Sequence, residues 1–210
     1  MIGELNLIEN RGLMLSGVLS VVFYVLHVII GGYKWKGYSH LQQPISDLTA
    51  SGAPNRKLMQ TLTTIYGLLA LLFAVSFTLY RSRAYPSLVY WGGISFTLVH
   101  FISVLYPLFP EDLPEAQPTL RGRIHIYITA LIVPFTILTP FLIGFGFISE
   151  TQWHTFGIYS ILTGILILVF GGTAAVFYAK KWPYFGLVER LNIGALQLWT
   201  FIFSMMLLLM

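Results

Sequence analysis

The sequence lacks cysteine, and it is poor in charge. Without thiols the chain has no disulfide, no cysteine nucleophile and no thiolate metal site. Asp, Glu, Lys and Arg together make up only 10% of its 210 residues. Neither a GxGxxG nor a P-loop spacing occurs, so the sequence has no motif that cradles a phosphate. These absences leave His, Asp, Ser and a few cations as the candidates for chemistry.

The residues that are present are mostly apolar. Hydrophobic residues make up 56% of the chain, and the mean hydropathy is +0.76. A chain with so little polar surface is predicted to lie in a bilayer. A membrane-spanning helix needs about 20 apolar residues, and the sequence has six such runs, at residues 12–32, 58–80, 86–106, 124–148, 153–179 and 191–210.

The six apolar runs are predicted to be helices, because backbone groups in lipid must be paired within their own segment. Strands of a membrane barrel would alternate polar and apolar residues, and these runs do not. The predicted fold class is therefore all-α. We expect residues 1–210 to form one domain, a polytopic bundle of six transmembrane helices with a structured loop after the first helix.

The Lys and Arg residues are distributed unevenly between the two predicted membrane faces. Six spans place both termini on one face, which carries Arg11, Arg81 and Arg83. The other nine of the 12 cations belong to the opposite, loop-rich face. The positive-inside rule then predicts a cell-membrane protein with a cytoplasmic loop-rich face and both termini outside. The net charge of +4 suits membrane lipids as partners, and nothing forms the basic face that nucleic acid would require.

Five ionisable residues are predicted to gather near the loop-rich face. His27, His100 and His125 come from the first, third and fourth predicted helices, and Asp47 and Asp112 come from the loops between them. Polar residues also recur at helical spacing on single helices, for example Thr129, Thr136 and Thr139, or Gln197, Thr200 and Ser204. Because an unpaired polar group in hydrocarbon is costly, such stripes point into the bundle or into a water-filled cavity.

The segment HLQQPISDLTASGAPNRK, residues 40–57, is the most polar stretch between the first two predicted helices. Pro44 and Pro54 prevent a continuous helix through it. Ser46 or Asp47 is a candidate cap for a short turn that ends at Gly52, where the missing side chain permits a left-handed exit. We predict a structured lid over the polar end of the bundle.

Two phrases of the sequence carry a resemblance to a known family. The phrase QPISDLTASGAPN follows a His late in the first helix, and LFPEDLPEAQPTLRGRIH ends in a His at the start of the fourth. Together they resemble the bacterial and archaeal membrane family called domain of unknown function 998. The resemblance covers nearly the whole chain and implies a six-helix membrane protein. It implies no activity.

A weaker similarity concerns the membrane hydrolases that include alkaline ceramidases and adiponectin-type receptors. Their helical bundles build a zinc site from a Ser, an Asp and three His, and Ser46, Asp47, His27, His100 and His125 supply the same residue types. That superfamily has seven helices and a His-x-x-x-His pair, whereas no two histidines here are four apart. The similarity is therefore one of chemistry rather than of descent.

The first functional hypothesis is a metal-dependent hydrolase that acts on a lipid or another amphiphile. His27, His100 and His125 are the candidate ligands of a zinc ion that activates water. Ser46, Asp47 and Asp112 are the candidate catalytic residues, as oxyanion donor and as proton acceptors or orienting groups. The candidate substrate-binding residues are Arg121 and Arg123, which suit a phosphate, together with Thr129 and Gln197.

Two other function classes fit the same residues. A lipid or small-molecule binding or transport protein would use the polar stripes as a cavity lining without catalysis. A haem-binding electron-transfer protein would use two of the histidines as axial ligands. Structural roles are the alternative at each position: a neighbouring Ser, Thr or carbonyl can satisfy an imidazole, Asp47 can cap a helix, and Asp112 can belong to a turn.

Overall fold

Six long helices make up most of the chain. The computed structural model describes residues 2–209, with side chains described from Arg11 onward. The helices are α1 (Ile2–Lys34), α2 (Arg56–Ser76), α3 (Ser87–Ser103), α4 (Leu120–Phe147), α5 (His154–Lys180) and α6 (Phe185–Leu209). All six are long and apolar enough to cross a membrane, and no strand occurs within residues 2–209. The prediction of an all-α, six-helix membrane protein is confirmed.

Two of the differences between the helix boundaries and the predicted spans have a physical reason in local structure. Beyond Ser76 the second span continues as a π-helical turn over Phe77–Arg81, so the apolar run is longer than the regular helix. The sixth helix begins at Phe185 rather than near 191. Its first turns contain Glu189 and Arg190, which interrupt the apolar run but bond to the loop after α1.

The helices form a closed ring in which each packs on the next in chain order and α6 packs on α1. Glycines permit the closest of these approaches. A Cβ atom on Gly157 of α5 would lie 2.9 Å from the backbone nitrogen of Ile148 and 3.0 Å from the carbonyl oxygen of Gly144. A Cβ atom on Gly146 of α4 would lie 2.9 Å from the backbone nitrogen of Val89. Small residues at such contacts allow helix backbones to approach in a membrane, where apolar burial gives little driving force.

One end of the helix bundle is filled by a cluster of buried aromatic side chains, and we call this end the aromatic half. The stacked rings of Phe147 and Trp153 are 4.5 Å apart, and those of Phe156 and Phe203 are 5.0 Å apart. All six helices contribute buried residues to this cluster, whose aromatic members are Phe73, Phe77, Phe96, Phe147, Trp153, Phe156, Trp199 and Phe203. Interlocked rings of this kind leave a dry, close-packed interior.

The opposite half, which we call the cavity half, lies under the loop between α1 and α2. A short 3₁₀ turn over Ser46–Thr49 buries Leu48 against α1 and α2. Gly52 has φ +91°, so the left-handed exit predicted there is present. The predicted cap is wrong: Ile45 occupies the capping position of the turn, and within the described residues it makes no side-chain cap bond.

Bonds to α6 fix this loop in place. The carboxylate of Glu189 accepts a hydrogen bond from the backbone N–H of Ile45 at 2.7 Å. The guanidinium of Arg190 donates to the carbonyl of Gln43 at 2.8 Å and to the hydroxyl of Tyr38 at 2.6 Å. The loop after α3 holds the other side, because the backbone N–H of Ser51 donates to the carbonyl of Glu111 at 3.0 Å. The loop therefore has a defined position over the bundle, as a lid requires.

Two glycines of α5 provide a matched test of the ring. Gly157→Ala would place a methyl group against the α4 backbone and is expected to lower the free energy of unfolding by roughly 1–3 kcal/mol. Gly172→Ala meets no atom within 4 Å among the described residues, and it is expected to be neutral or stabilising by up to about 1 kcal/mol. Unfolding of the purified variants in detergent measures both. Equal stability of the two variants would contradict the close α4–α5 contact.

Candidate functional site

The cavity half encloses a space of about 570 Å³, a size typical of small-molecule sites. Side chains from all six helices and from the loops after α1 and α3 line it, and most of the wall is apolar. The polar lining includes Tyr24, His27, Ser46, Tyr66, His100, Tyr106, Glu111, His125, Thr129, Glu189 and Gln197. The three histidines predicted from the sequence to share one pocket all line this cavity.

His27 and His100 are the most deeply buried of these polar residues. Each imidazole is only 2% exposed. No group in the described part of the chain hydrogen-bonds to any of their four ring nitrogens. Tyrosine rings lie between the two: the ring centroids of Tyr24 and Tyr66 are 5.1 Å apart, and each lies 6.3 Å from one imidazole. Both histidines line the cavity, and their ring nitrogens have unused donor and acceptor capacity.

His125 has a different environment. Its Nδ1 lies 2.8 Å from the carbonyl oxygen of Phe109. Because a carbonyl only accepts, Nδ1 carries the proton of the neutral ring, and Nε2 has a lone pair. Nε2 lies 4.0 Å from Oε2 of Glu111, and both residues line the cavity. This pair has the arrangement of an oriented general base beside a carboxyl group.

Two predicted substrate-binding residues support tyrosines of the cavity wall. The side-chain amide of Gln197 donates to the hydroxyl of Tyr66 at 2.7 Å. The hydroxyls of Tyr106 and Thr129 are 3.0 Å apart. Both Gln197 and Thr129 line the cavity themselves. Their role in binding a substrate stays a prediction.

Ser46 and Asp47 adjoin each other in the 3₁₀ turn, but only Ser46 is part of the lining. Asp47 is 1% exposed and accepts a long hydrogen bond from Gln43 at 3.4 Å. Burial, and then the charge of Glu111, raise the pKa of Asp47 to about 6. Burial likewise raises the pKa of Glu111, while the Ser46 side chain acts in the opposite direction. The lid and the loop after α3 therefore each contain a carboxyl group that retains its proton more readily than a free one.

Asp112 lies outside the cavity lining and organises the start of α4. Its carboxylate accepts from the backbone N–H of Thr119 at 2.7 Å and from the Thr119 hydroxyl at 2.9 Å. The same hydroxyl accepts from the backbone N–H of Gly122 at 3.1 Å, which caps the helix. In the described structure this aspartate is thus bonded within its loop, the turn role that was the alternative to catalysis.

Arg121 and Arg123 are exposed and do not belong to the cavity lining. They lie in the first turn of α4, at the surface where the chain leaves the loop. A phosphate in the cavity would therefore not meet these two guanidinium groups. Their assignment to substrate binding stays a prediction that the cavity does not support.

The histidine trio does not form a metal-binding group. Among the described residues, no set of three or more His, Cys, Asp or Glu side chains is placed to hold a metal ion. The described residues therefore give no support to the predicted zinc site, which stays a prediction. The haem hypothesis stays an untested prediction.

Comparison with known proteins decides the family. The family described as "Protein of unknown function (DUF998)" matches residues 18–206. The chain belongs to DUF998. No curated protein and no solved structure matches it, so the analogy with the membrane hydrolases gains no support.

Several residues of this DUF998 site were missed from the sequence. Glu111 and Glu189 line the cavity but sit beside apolar spans, where they count as boundary residues. Tyr24 precedes His27 by one helical turn, and Tyr66 lies about three turns after the start of α2. Helical spacing from a buried histidine is the signal that could have identified Tyr24. The other three depend on packing between helices that are distant in sequence.

The buried Asp47 predicts a pH dependence of stability. Its pKa in the folded state, about 6, exceeds the model-compound value of 3.8, so the folded state holds the proton more tightly. The free energy of unfolding is then unaffected below pH 3.8, falls as the pH rises from 3.8 to about 6, and stays reduced above about pH 6. Asp47→Asn is expected to remove this decline and to raise stability at pH 7.5 by roughly 1–3 kcal/mol. Thermal unfolding from pH 4 to 7.5 measures it, and Glu115→Gln, which replaces an exposed carboxylate, is the control. A variant that is less stable than wild type at pH 7.5 would contradict the assignment.

Proposed function

We propose that this membrane protein binds a small amphiphile in the cavity half of the bundle. The observation that carries the proposal is the pair of buried imidazoles, His27 and His100, on a largely apolar cavity. A buried polar group without a partner costs about 1–3 kcal/mol. A ligand that carries a hydroxyl, amide or amine group beside an apolar chain would satisfy both the imidazoles and the wall.

The outline of the cavity supports access from the bilayer. Near Gly144 and Gly157, α4 and α5 are in backbone contact. In the cavity half, exposed residues of both helices line the space instead, among them Ala130 of α4 and Ala175 of α5. Pro134 lies between the two parts of α4 and removes a backbone hydrogen bond there, which favours a change of helix direction. An amphiphile would enter sideways between α4 and α5, with its chain toward lipid.

The aromatic half favours binding over conduction. Its fully buried rings, such as Phe73, Phe147 and Trp199, occupy the interior that a continuous pore would need. Two buried polar pairs lie among these rings: Nε1 of Trp199 donates to Ser160 at 2.8 Å, and the hydroxyl of Ser204 donates to the carbonyl of Met14 at 2.5 Å. The aromatic half therefore closes the inner end of the cavity, which lies within one membrane leaflet.

A second candidate function is hydrolysis of the bound amphiphile. It is favoured by the oriented His125, whose Nε2 and neighbouring Glu111 face the same cavity as Ser46. In such a reaction Nε2 would accept a proton from water or from the Ser46 hydroxyl. Fragments of the amphiphile, in place of the intact molecule, would distinguish hydrolysis from binding in the experiment below.

Substitution of His27 and of His100 tests whether their imidazoles hold an amphiphile. Protein purified in mild detergent is extracted with organic solvent, and the amphiphile that it retains is quantified by mass spectrometry. His27→Leu and His100→Leu each remove a polar anchor, and each is expected to lower the retained amount by about tenfold. Both variants should be at least as stable as wild type once the ligand is removed, because an unpaired polar group has left the interior.

His154→Leu is the matched control. His154 is exposed at the start of α5, and its Nδ1 lies 2.7 Å from the carbonyl of Ile148, outside the cavity. This substitution is expected to leave retention unchanged. Equal retention by the wild type, His27→Leu and His100→Leu proteins, or no amphiphile in any of them, would overturn the proposal.

A further inference from the structure

The Asp, Glu, Lys and Arg side chains that line the cavity are all acidic among the described residues. Glu111 and Glu189 are its carboxyl groups, and within the described residues neither Lys nor Arg belongs to the lining. The guanidinium of Arg190, the residue after Glu189, is not part of this lining. It donates instead to the carbonyls of Gln43 and Gly186, each at 2.8 Å, and to the Tyr38 hydroxyl. Arg190 therefore holds the lid, and within the described residues the charged side chains that line the cavity itself are Glu111 and Glu189.

Both carboxyl groups line the cavity and have unused hydrogen-bonding capacity. Oε2 of Glu111 is buried, and nothing in the described part of the chain bonds to it. Glu189 accepts one bond, from the backbone N–H of Ile45, through one of its two oxygens. A carboxylate in a low-dielectric site requires a positive or strongly donating partner. His27 and His100 add further acceptor nitrogens, since each neutral imidazole has one.

Aromatic rings surround the same space. Tyr24, Tyr66 and Tyr106 line the cavity, and the ring of Tyr106 lies 4.7 Å from that of His125. The face of a tyrosine ring attracts a cation through its quadrupole, and desolvation strengthens that attraction. Carboxylates combined with aromatic rings are the groups that recognise an organic ammonium ion. An anionic head group would find like charges here, and a bare metal ion would find no group of three ligands among the described residues.

We infer that the cavity selects an amphiphile whose head group is an organic ammonium, held by Glu111 and Glu189 among the tyrosine rings, with its apolar chain directed between α4 and α5. This inference rests on the proposed function and specifies the class of its ligand. The ammonium N–H groups donate to the two carboxylates and to the acceptor nitrogens of His27 and His100. A quaternary ammonium would keep the charge and the aromatic contacts but would lose these hydrogen bonds.

Three probes with the same chain length test the head group. Dodecylammonium, dodecanol and laurate are titrated into the protein in nanodiscs, and their dissociation constants are compared. The wild-type protein is expected to bind dodecylammonium at least about tenfold more tightly than either of the others, since a charge-assisted pair contributes about that factor. Glu111→Gln and Glu189→Gln are each expected to lose most of this preference.

The controls separate loss of selectivity from loss of the fold. Gln at position 189 keeps a carbonyl oxygen that can accept from Ile45, and dodecanol binding reports an intact cavity in each variant. Glu115→Gln changes an exposed carboxylate outside the lining and should leave all three constants unchanged. Binding of dodecanol or laurate as tightly as dodecylammonium would overturn the inference and leave the proposed function standing. Failure of all three probes to bind would overturn both.

Discussion

Hydrocarbon offers no hydrogen bonds, so a polar group inside a membrane bundle must find its partner in the protein or in a molecule that the protein holds. The aromatic half of this chain meets that constraint internally, as the bonds of Trp199 to Ser160 and of Ser204 to Met14 show. The cavity half does not, because the described residues leave the ring nitrogens of His27 and His100 without partners. The difference between the halves locates the candidate site at one end of the bundle.

The architecture could be predicted from composition, because each span must satisfy its own backbone and therefore appears as a continuous apolar run. The convergence of His27, His100 and His125 on one cavity also had a signal in the sequence: all three lie at helix ends on the same predicted face. The left-handed backbone conformation of Gly52 could be predicted from its place after a short turn between two prolines. These features depend on local chain geometry and on the membrane boundary, both of which sequence periodicity reports.

The detailed chemistry of the site depends on contacts between distant segments, which periodicity does not report. Asp112 and Glu111 are adjacent, yet one caps α4 through Thr119 and the other faces the cavity. In the sequence Arg190 is one of nine cations on the loop-rich face. In the structure its hydrogen bonds join the lid to α6. Arg121 was expected at the ligand and is exposed. Only the packing of α6 and of the loop after α3 around the cavity shows that its lining contains carboxyl groups rather than cations.

The bundle is open in its cavity half and closed in its aromatic half. The absence of native cysteine makes single introduced thiols a direct test. Gln197 lines the cavity, whereas Ser204, on the same face of α6 about two turns away, is 0% exposed. The rate at which a small water-soluble methanethiosulfonate labels Gln197→Cys and Ser204→Cys measures access to each level. The account predicts rapid labelling of Gln197→Cys and no labelling of Ser204→Cys in the folded protein; equal rates at the two positions would contradict it.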